Sequence, residues 1–288
     1  MTLYIFFSLI SAVTVFLNLL VIISISQIKQ LQTPTNLLIL SLAVSDLLVG
    51  LIVIPAMTVA TLEPCWVLGE YFCALLIYTN YLCTSLSLGS LVLISIDRYV
   101  AVCDPLMYHS KITTTRTKCC IAITWCCCII YNAVLIKVSV NVQVPSKCFE
   151  ECYFVQGFVR SMVIDLVISF IIPCSIIITL YLKILFVARS QARKILSNGP
   201  CTLSSVTANK SERKAAKTLG IVVFNYLIYW IPIYFIQFIF SASHNSSSAF
   251  LCFLPLLNSF VNPVIYAFFY PWFKVTAKHI LTLKLSHV

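Results

Sequence analysis

The chain has 288 residues, 60% of them hydrophobic and 10% charged, with a mean hydropathy of +1.00 and a net charge of +10. A water-soluble domain cannot hide that much apolar surface, so most of the chain is solvated by lipid, and seven spans of about 20 residues with short connections use up most of the length. Nucleic acid is excluded as the reason for the basic balance by where the charges fall: only Lys137, Lys147 and Arg160 lie on one side, and most of the other Lys and Arg cluster in 183–217, around Lys111 to Lys118 and from Lys274 onward, which the positive-inside rule makes cytoplasmic.

Apolar runs at about 3–28, 36–62, 70–96, 119–136, 157–186, 215–242 and 249–270 predict an all-α membrane protein, a seven-transmembrane helix bundle with its N-terminus outside. The helices are expected over 3–28, 36–62, 70–103, 117–137, 157–188, 210–242 and 249–270, so residues 1–270 form the transmembrane domain and 271–288 a short helix and tail. The first run begins almost at Met1 with neither a basic leader nor a small-residue cleavage site, and reads as a retained span. Either the outer tail is nearly absent or the chain starts inside a longer product.

An ionisable residue inside a span is costly and marks a functional position by default. The second run carries Asp46, in SLAVSDLLVG. The third opens on Cys73 and closes on Asp97-Arg98-Tyr99. At 1.5 Å per residue, Asn80 lies about 10 Å past Cys73 and Arg98 about 27 Å deeper, so one end of this helix faces a ligand and the other the cytosol. Asn80, Thr84 and Ser87 recur at helical spacing between them as a polar stripe toward the bundle interior. For Thr84, a ligand contact and a plain helix-packing hydrogen bond both stand as readings.

The fourth run holds Trp125 and the consecutive Cys126, Cys127 and Cys128, which point in different directions around a helix and act as small hydrophobes, not as metal ligands. Cys148 and Cys152 follow in the outer loop, where a disulfide from Cys73 to one of them would pin the loop over the bundle mouth. In the fifth run Asp165 lies eight residues before Pro173, two turns above it, with Ser169 one turn below Asp165. The sixth carries Trp230 and Pro232 in YWIP, then Ile233 and Tyr234, and the seventh carries Asn262-Pro263. Each proline removes a backbone hydrogen bond and bends its helix. Asn245-Ser246-Ser247 is an outer-loop glycosylation sequon, whereas Asn209-Lys210-Ser211 fits the pattern but lies in the cytosol.

Asn18, LAVSD ending at Asp46, Cys73, Asp97-Arg98-Tyr99, Trp125, Trp230-x-Pro232 and Asn262-Pro263-x-x-Tyr266 occur in this order along nearly the whole chain. Together they resemble the rhodopsin-like G-protein-coupled receptors. NSFVNPVIYAFFYPWF (Asn258 to Phe273), KAAKTLGIVV and IDRYVAVCDPLMY are similar to the trace amine-associated receptors within that family. The resemblance implies that Cys152 bonds Cys73 and that Cys148 bonds an N-terminal-tail cysteine, although no cysteine precedes Cys65 here. It implies that Arg98 pairs with Glu212 at rest and releases it to meet a G protein while Tyr181 and Tyr266 rearrange. It also implies that Asp46 with Ser87, Asn18, Asn258 and Asn262 forms a hydrated pocket able to hold a sodium ion, the only cofactor expected. A cytoplasmic amphipathic helix 8 with Trp272 and Phe273 toward lipid would follow Tyr270.

In aminergic relatives an Asp at the position of Asn80 binds the ligand's ammonium, supported by a Tyr at the position of Leu256. Asparagine offers no charge to offset desolvation of a cation, and the acid at ligand depth is instead Asp165. Some fish trace amine-associated receptors look like this. The expected site is Asp165 as counter-ion for a monoamine in a reversed pose, Ser169 and Asn80 adding hydrogen bonds, and Trp230, Ile233 and Tyr234 holding the apolar end; Glu150 and Glu151 in the lid loop would attract a second amine weakly. The expected role is a plasma-membrane receptor for a small amine that activates a heterotrimeric, cAMP-raising G protein. The rival is a receptor of the same fold for a lipid or neutral odorant, with Asp165 structural, bridged to Arg160 or protonated. An opsin would need a lysine at Leu256, a transporter would show matched repeats, and an enzyme would show a nucleophile–base pair; none occurs in the sequence.

Overall fold

The computed structural model describes residues 1–63, 69–139, 163–197, 220–232, 253–269 and 271–282. Cys148, Glu150, Glu151, Cys152, Arg160, Glu212, Ile233, Tyr234 and Asn245 lie outside the described residues. The helices run α1 (Thr2–Gln27), α2 (Pro34–Leu62), α3 (Gly69–Cys103), α4 (Thr114–Ser139), α5 (Val163–Val187, continuing to Ser197), α6 (Gly220–Pro232), α7 (Leu256–Phe269) and α8 (Pro271–Leu281). The first five are long and apolar enough to cross a membrane, and α6 is a shorter apolar helix.

Polarity is inverted relative to a water-soluble bundle. Phe16, Leu75, Ile130, Phe186 and Phe224 point outward, whereas Asn18, Ser24, Ser45, Asp46, Ser95, Asn132 and Asn262 are wholly buried. Lipid tails are as apolar as leucine, so helices gain from packing small residues and pairing polar ones with each other. Two glycines show the close packing: a Cβ on Gly50 would stand 3.0 Å from Val15 of α1, and one on Gly89 would stand 2.7 Å from Thr124 of α4. The Gly50 carbonyl also accepts the Ser11 hydroxyl at 2.7 Å.

The long α3 is the axis. It packs against α2, α4 and α5, while α1 packs on α2, α7 and α8. One apolar cluster around Leu42, Leu91, Ile94, Ile177, Val222 and Tyr266 fills the centre and the Arg98 end, and a second around Phe7, Val53, Cys83, Phe253 and Leu256 fills the Cys73 end. Phe7 stacks on Phe253 with ring centroids 4.0 Å apart, closing α1 onto the start of α7.

The prolines act as expected at Pro173 and at one further place. A proline ring collides with the carbonyl four residues earlier. The helix widens to i→i+5 turns over Leu166–Ile171, before Pro173, and over Val49–Val53, before Pro55. Pro263 is accommodated inside α7. The α2 start is set by Pro34 in the first turn and by Thr33, whose side chain accepts the Asn36 amide at 3.3 Å.

One expectation is corrected. Phe273 does not face lipid: it is buried in the central cluster, with Trp272 partly buried beside it. The helix α8 packs on α1 and α7, and an aromatic ring gains more by filling that junction than by leaving it open.

Candidate functional site

At the Arg98 end of α3 the polar residues close on one another. The Arg98 guanidinium donates to Asp97 Oδ2 from Nε at 2.9 Å and from Nη2 at 2.6 Å, and Nη2 also reaches Thr35 Oγ1 at 2.5 Å. Thr35 in turn donates to Asp97 Oδ2 at 2.8 Å. Tyr108, on the helical turn Tyr108–Lys111, donates to Asp97 Oδ1 at 2.9 Å and accepts from Arg98 at 3.4 Å. Burial, and after it the neighbouring Asp97 charge, push the Tyr108 phenol up to about 12, so it stays a neutral donor. Both charges are buried, which is tolerable only because each is hydrogen-bonded.

The surroundings of this lock come from three elements. Lys183 Nζ of α5 stands 5.8 Å over the Tyr99 ring. Arg116 holds the loop to α4 by donating to the carbonyls of Ser110 at 2.7 Å and Lys111 at 3.1 Å. Tyr181 of α5 lies against Gly220 of α6, where a Cβ would stand 3.2 Å from its ring. Glu212, the expected resting partner of Arg98, lies outside the described residues. Thr35 and Tyr108 were not anticipated from the sequence, since a threonine beside a proline and a loop tyrosine carry no periodic or charge signal.

Midway along the bundle Asp46 is wholly buried and accepts from Ser259 Oγ at 2.7 Å, Asn262 Nδ2 at 2.9 Å and Ser87 Oγ at 3.4 Å. Asn18 joins through the backbone, its Nδ2 donating to the Ser259 carbonyl at 3.1 Å. Asn258 turns away and accepts from Asn225 at 3.1 Å. Ser259 is the member the sequence reading missed. The amide oxygens of Asn18 and Asn262 are buried with no protein partner among the described residues. One carboxylate, hydroxyls able to swing their lone pairs round and two unsatisfied amide oxygens are the hard donor set that suits a small monovalent cation.

The Asp165 side is built between α4 and α5. Asp165 is buried, and Tyr131 of α4 donates to its Oδ1 at 3.3 Å. Ser169 lies four residues beyond Asp165, within the wide turn over Leu166–Ile171. Asn80 and Thr84 are held within α3, the Thr84 hydroxyl donating to the Asn80 carbonyl at 2.8 Å. Trp230 stacks on Tyr226 one turn before it at 5.7 Å, and Leu256 is packed in the apolar cluster at the Cys73 end. Cys73 is disulfide-bonded, and since the remaining described cysteines are free thiols its partner lies outside the described residues.

A seven-helix bundle with this buried acid at its centre and an Asp-Arg lock at one end of its third helix matches one family model, the 7 transmembrane receptor (rhodopsin family), over residues 17–266. The chain belongs to that family. It is a multi-pass membrane receptor, not an enzyme, and it falls among the trace amine-associated receptors. It is 36% identical to trace amine-associated receptor 13c of Danio rerio over 95% of this chain and 83% of that protein. It is 39% identical to trace amine-associated receptor 6 of Homo sapiens (97% of this chain, 85% of that protein) and 38% identical to trace amine-associated receptor 1 of Mus musculus (99% and 90%).

Proposed function

We propose that this receptor detects a small organic amine in the half of the bundle nearer Cys73, with Asp165 as counter-ion of the ammonium, and relays binding to a heterotrimeric, cAMP-raising G protein at the Arg98 end. The observation that carries the reading is the buried Asp165 carboxylate, held by Tyr131 at ligand depth in a chain whose span-three position is the uncharged Asn80. Its relatives are named for trace amines. A buried acid is costly unless something returns the lost solvation, and an ammonium does so. The clustering of Lys and Arg near the Arg98 end orients that end to the cytosol of a plasma-membrane receptor, with the N-terminus outside.

The relay follows the buried polar chain. An amine drawn toward α5 changes the packing near Trp230 and Tyr226; the Asp46 group, which would hold a sodium ion at rest, links α2, α3 and α7; and Arg98 exchanges Asp97, Thr35 and Tyr108 for the G protein. Asn80, Ser169, Ile233 and Tyr234 complete the proposed pocket. Cys73 paired with Cys152 would pin the loop above it, and α8 would lie along the inner membrane face.

A panel of amines and neutral analogues applied to surface-expressed receptor, read out as cAMP, tests this. Asp165→Ala should lower amine potency by roughly a hundredfold or more, because a desolvated ammonium loses its counter-ion. Unchanged potency at normal surface expression would end the proposal. One observation favours a second reading: the Tyr131 bond is also what a purely structural acid would make. In that case neutral analogues activate the receptor and Asp165→Asn retains their potency.

A further inference from the structure

We infer that Ser45 positions Ser87 for a cation at Asp46: it accepts the Ser87 hydroxyl in a hydrogen bond and so leaves a Ser87 lone pair facing the ion. The inference rests on the reading that the Asp46 group holds a sodium ion at rest, and Ser45 lies outside the set of residues expected to hold it. Ser45 and Asp46 are neighbours on α2, both wholly buried. Ser87 of α3 is buried against them, with Ser45 Oγ at 3.2 Å and Asp46 Oδ1 at 3.4 Å. A serine hydroxyl has one proton to donate and two lone pairs to offer. Ser45 gives its proton to the carbonyl of Leu42, three residues back on its own helix, at 2.8 Å. Toward Ser87 it therefore acts as an acceptor. The single Ser87 proton has two acceptors on consecutive residues of α2, a hydroxyl oxygen and a carboxylate oxygen.

The two settings of that proton differ in what they offer Asp46. Directed at the carboxylate, it supplies a donor, which suits Asp46 without a cation. A cation beside Asp46 reverses the demand, because a hydroxyl ligates through an oxygen lone pair and its proton then points elsewhere. In a buried site that proton needs a second acceptor, or the full cost of an unmet donor falls on ion binding. Ser45 Oγ is such an acceptor, already in place. Rotation about the Ser87 Cβ–Oγ bond makes the exchange without displacing either helix. Ser45 thus acts through Ser87 and not by touching the ion.

The test melts the ligand-free, detergent-solubilised full chain in sodium chloride and in choline chloride at equal ionic strength. The native receptor should melt higher in sodium, since an ion held by the folded state stabilises it. In Ser45→Ala, about fivefold more sodium should be needed for the same rise in melting temperature, the worth of one neutral hydrogen bond. Ser90→Ala is the matched control. It breaks another α2–α3 serine pair of the same length, Ser41 with Ser90 at 3.2 Å, outside the Asp46 group. Its melting temperature should fall in both salts while its sodium requirement stays native. If Ser45→Ala does not survive detergent, agonist binding in membranes carries the comparison, with about fivefold more sodium needed to weaken it. An unchanged sodium requirement in Ser45→Ala overturns the inference and leaves the ion site standing. An equal change in Ser90→Ala also overturns it, because loose packing of α2 on α3 would then account for both. If the native receptor does not distinguish sodium from choline, the ion site itself falls and the inference with it.

Discussion

Tyr108 donates its hydroxyl to Asp97 Oδ1 at 2.9 Å, so the loop after α3 closes the same carboxylate that holds Arg98. Tyr108→Phe removes that donor and leaves Thr35 in place. The resting arrangement should lose about 1 kcal/mol, and ligand-independent nucleotide exchange on the G protein should rise by about fivefold. Membranes matched for receptor number give the measurement. Unchanged or lower basal exchange would show that Tyr108 does not hold the resting state.

The same contact sets a pH expectation. The Tyr108 phenol is raised from 10.0 to about 12, chiefly by burial, so its stabilising share is fully present below pH 10 and is lost as pH rises through 12. The difference in basal exchange between the native receptor and Tyr108→Phe should therefore be constant from about pH 6 to 9. A difference that decays within that window contradicts the contact.

Asp46 gathers Ser259, Asn262 and Ser87 into one buried group. Replacing choline chloride by sodium chloride should lower agonist affinity in the native receptor, since a cation bound only in the resting state opposes the active one. Asp46→Asn keeps an acceptor for the neighbouring donors but removes the charge, and its agonist affinity should not respond to sodium. Equal salt responses in the two proteins would exclude a sodium ion held by Asp46.

Helix spacing is tested at Gly89, where an added Cβ would stand 2.7 Å from the Thr124 methyl. Gly89→Ala should destabilise the detergent-solubilised receptor by about 1–3 kcal/mol, seen as a lower melting temperature. Thr124→Ser, which removes that methyl, should restore most of the loss in the double variant. Additive losses would mean that the two helices do not meet there.

Cys73 is disulfide-bonded. If Cys152 is its partner, Cys73→Ser and Cys152→Ser should each cut surface expression and ligand binding, and the double variant should be no worse than either single one. A double variant clearly worse than both would assign Cys73 another partner.

The charged members of these groups were legible in the sequence because charge is rare in an apolar run. Asp46, Asp97, Arg98 and Asp165 stand out on that ground alone, and each is buried with a hydrogen-bond partner. Their neutral partners were not legible. Ser259, Thr35, Tyr108 and Tyr131 are hydroxyl residues of the kind any span or loop contains, and Ser259 meets Asp46 across 213 residues of chain. Pro55 was visible as a letter, but the wide turn it imposes depends on which carbonyl the ring would strike. The family resemblance implies a lipid-facing Phe273, but a resemblance in sequence does not say whether lipid or a neighbouring helix covers the ring, and here the helices cover it.

Composition, run length and charge asymmetry thus determined by themselves that the chain lives in lipid as a helical bundle, because lipid demands internally bonded helices and penalises charge wherever it falls. Which hydroxyl meets which carboxylate, and that Tyr131 of α4 reaches Asp165, only the tertiary structure decided. A hydrogen bond is fixed by distances of a few ångströms between helices, and helix rotation, bends at Pro55 and Pro173 and close approaches at Gly50 and Gly89 set those distances jointly.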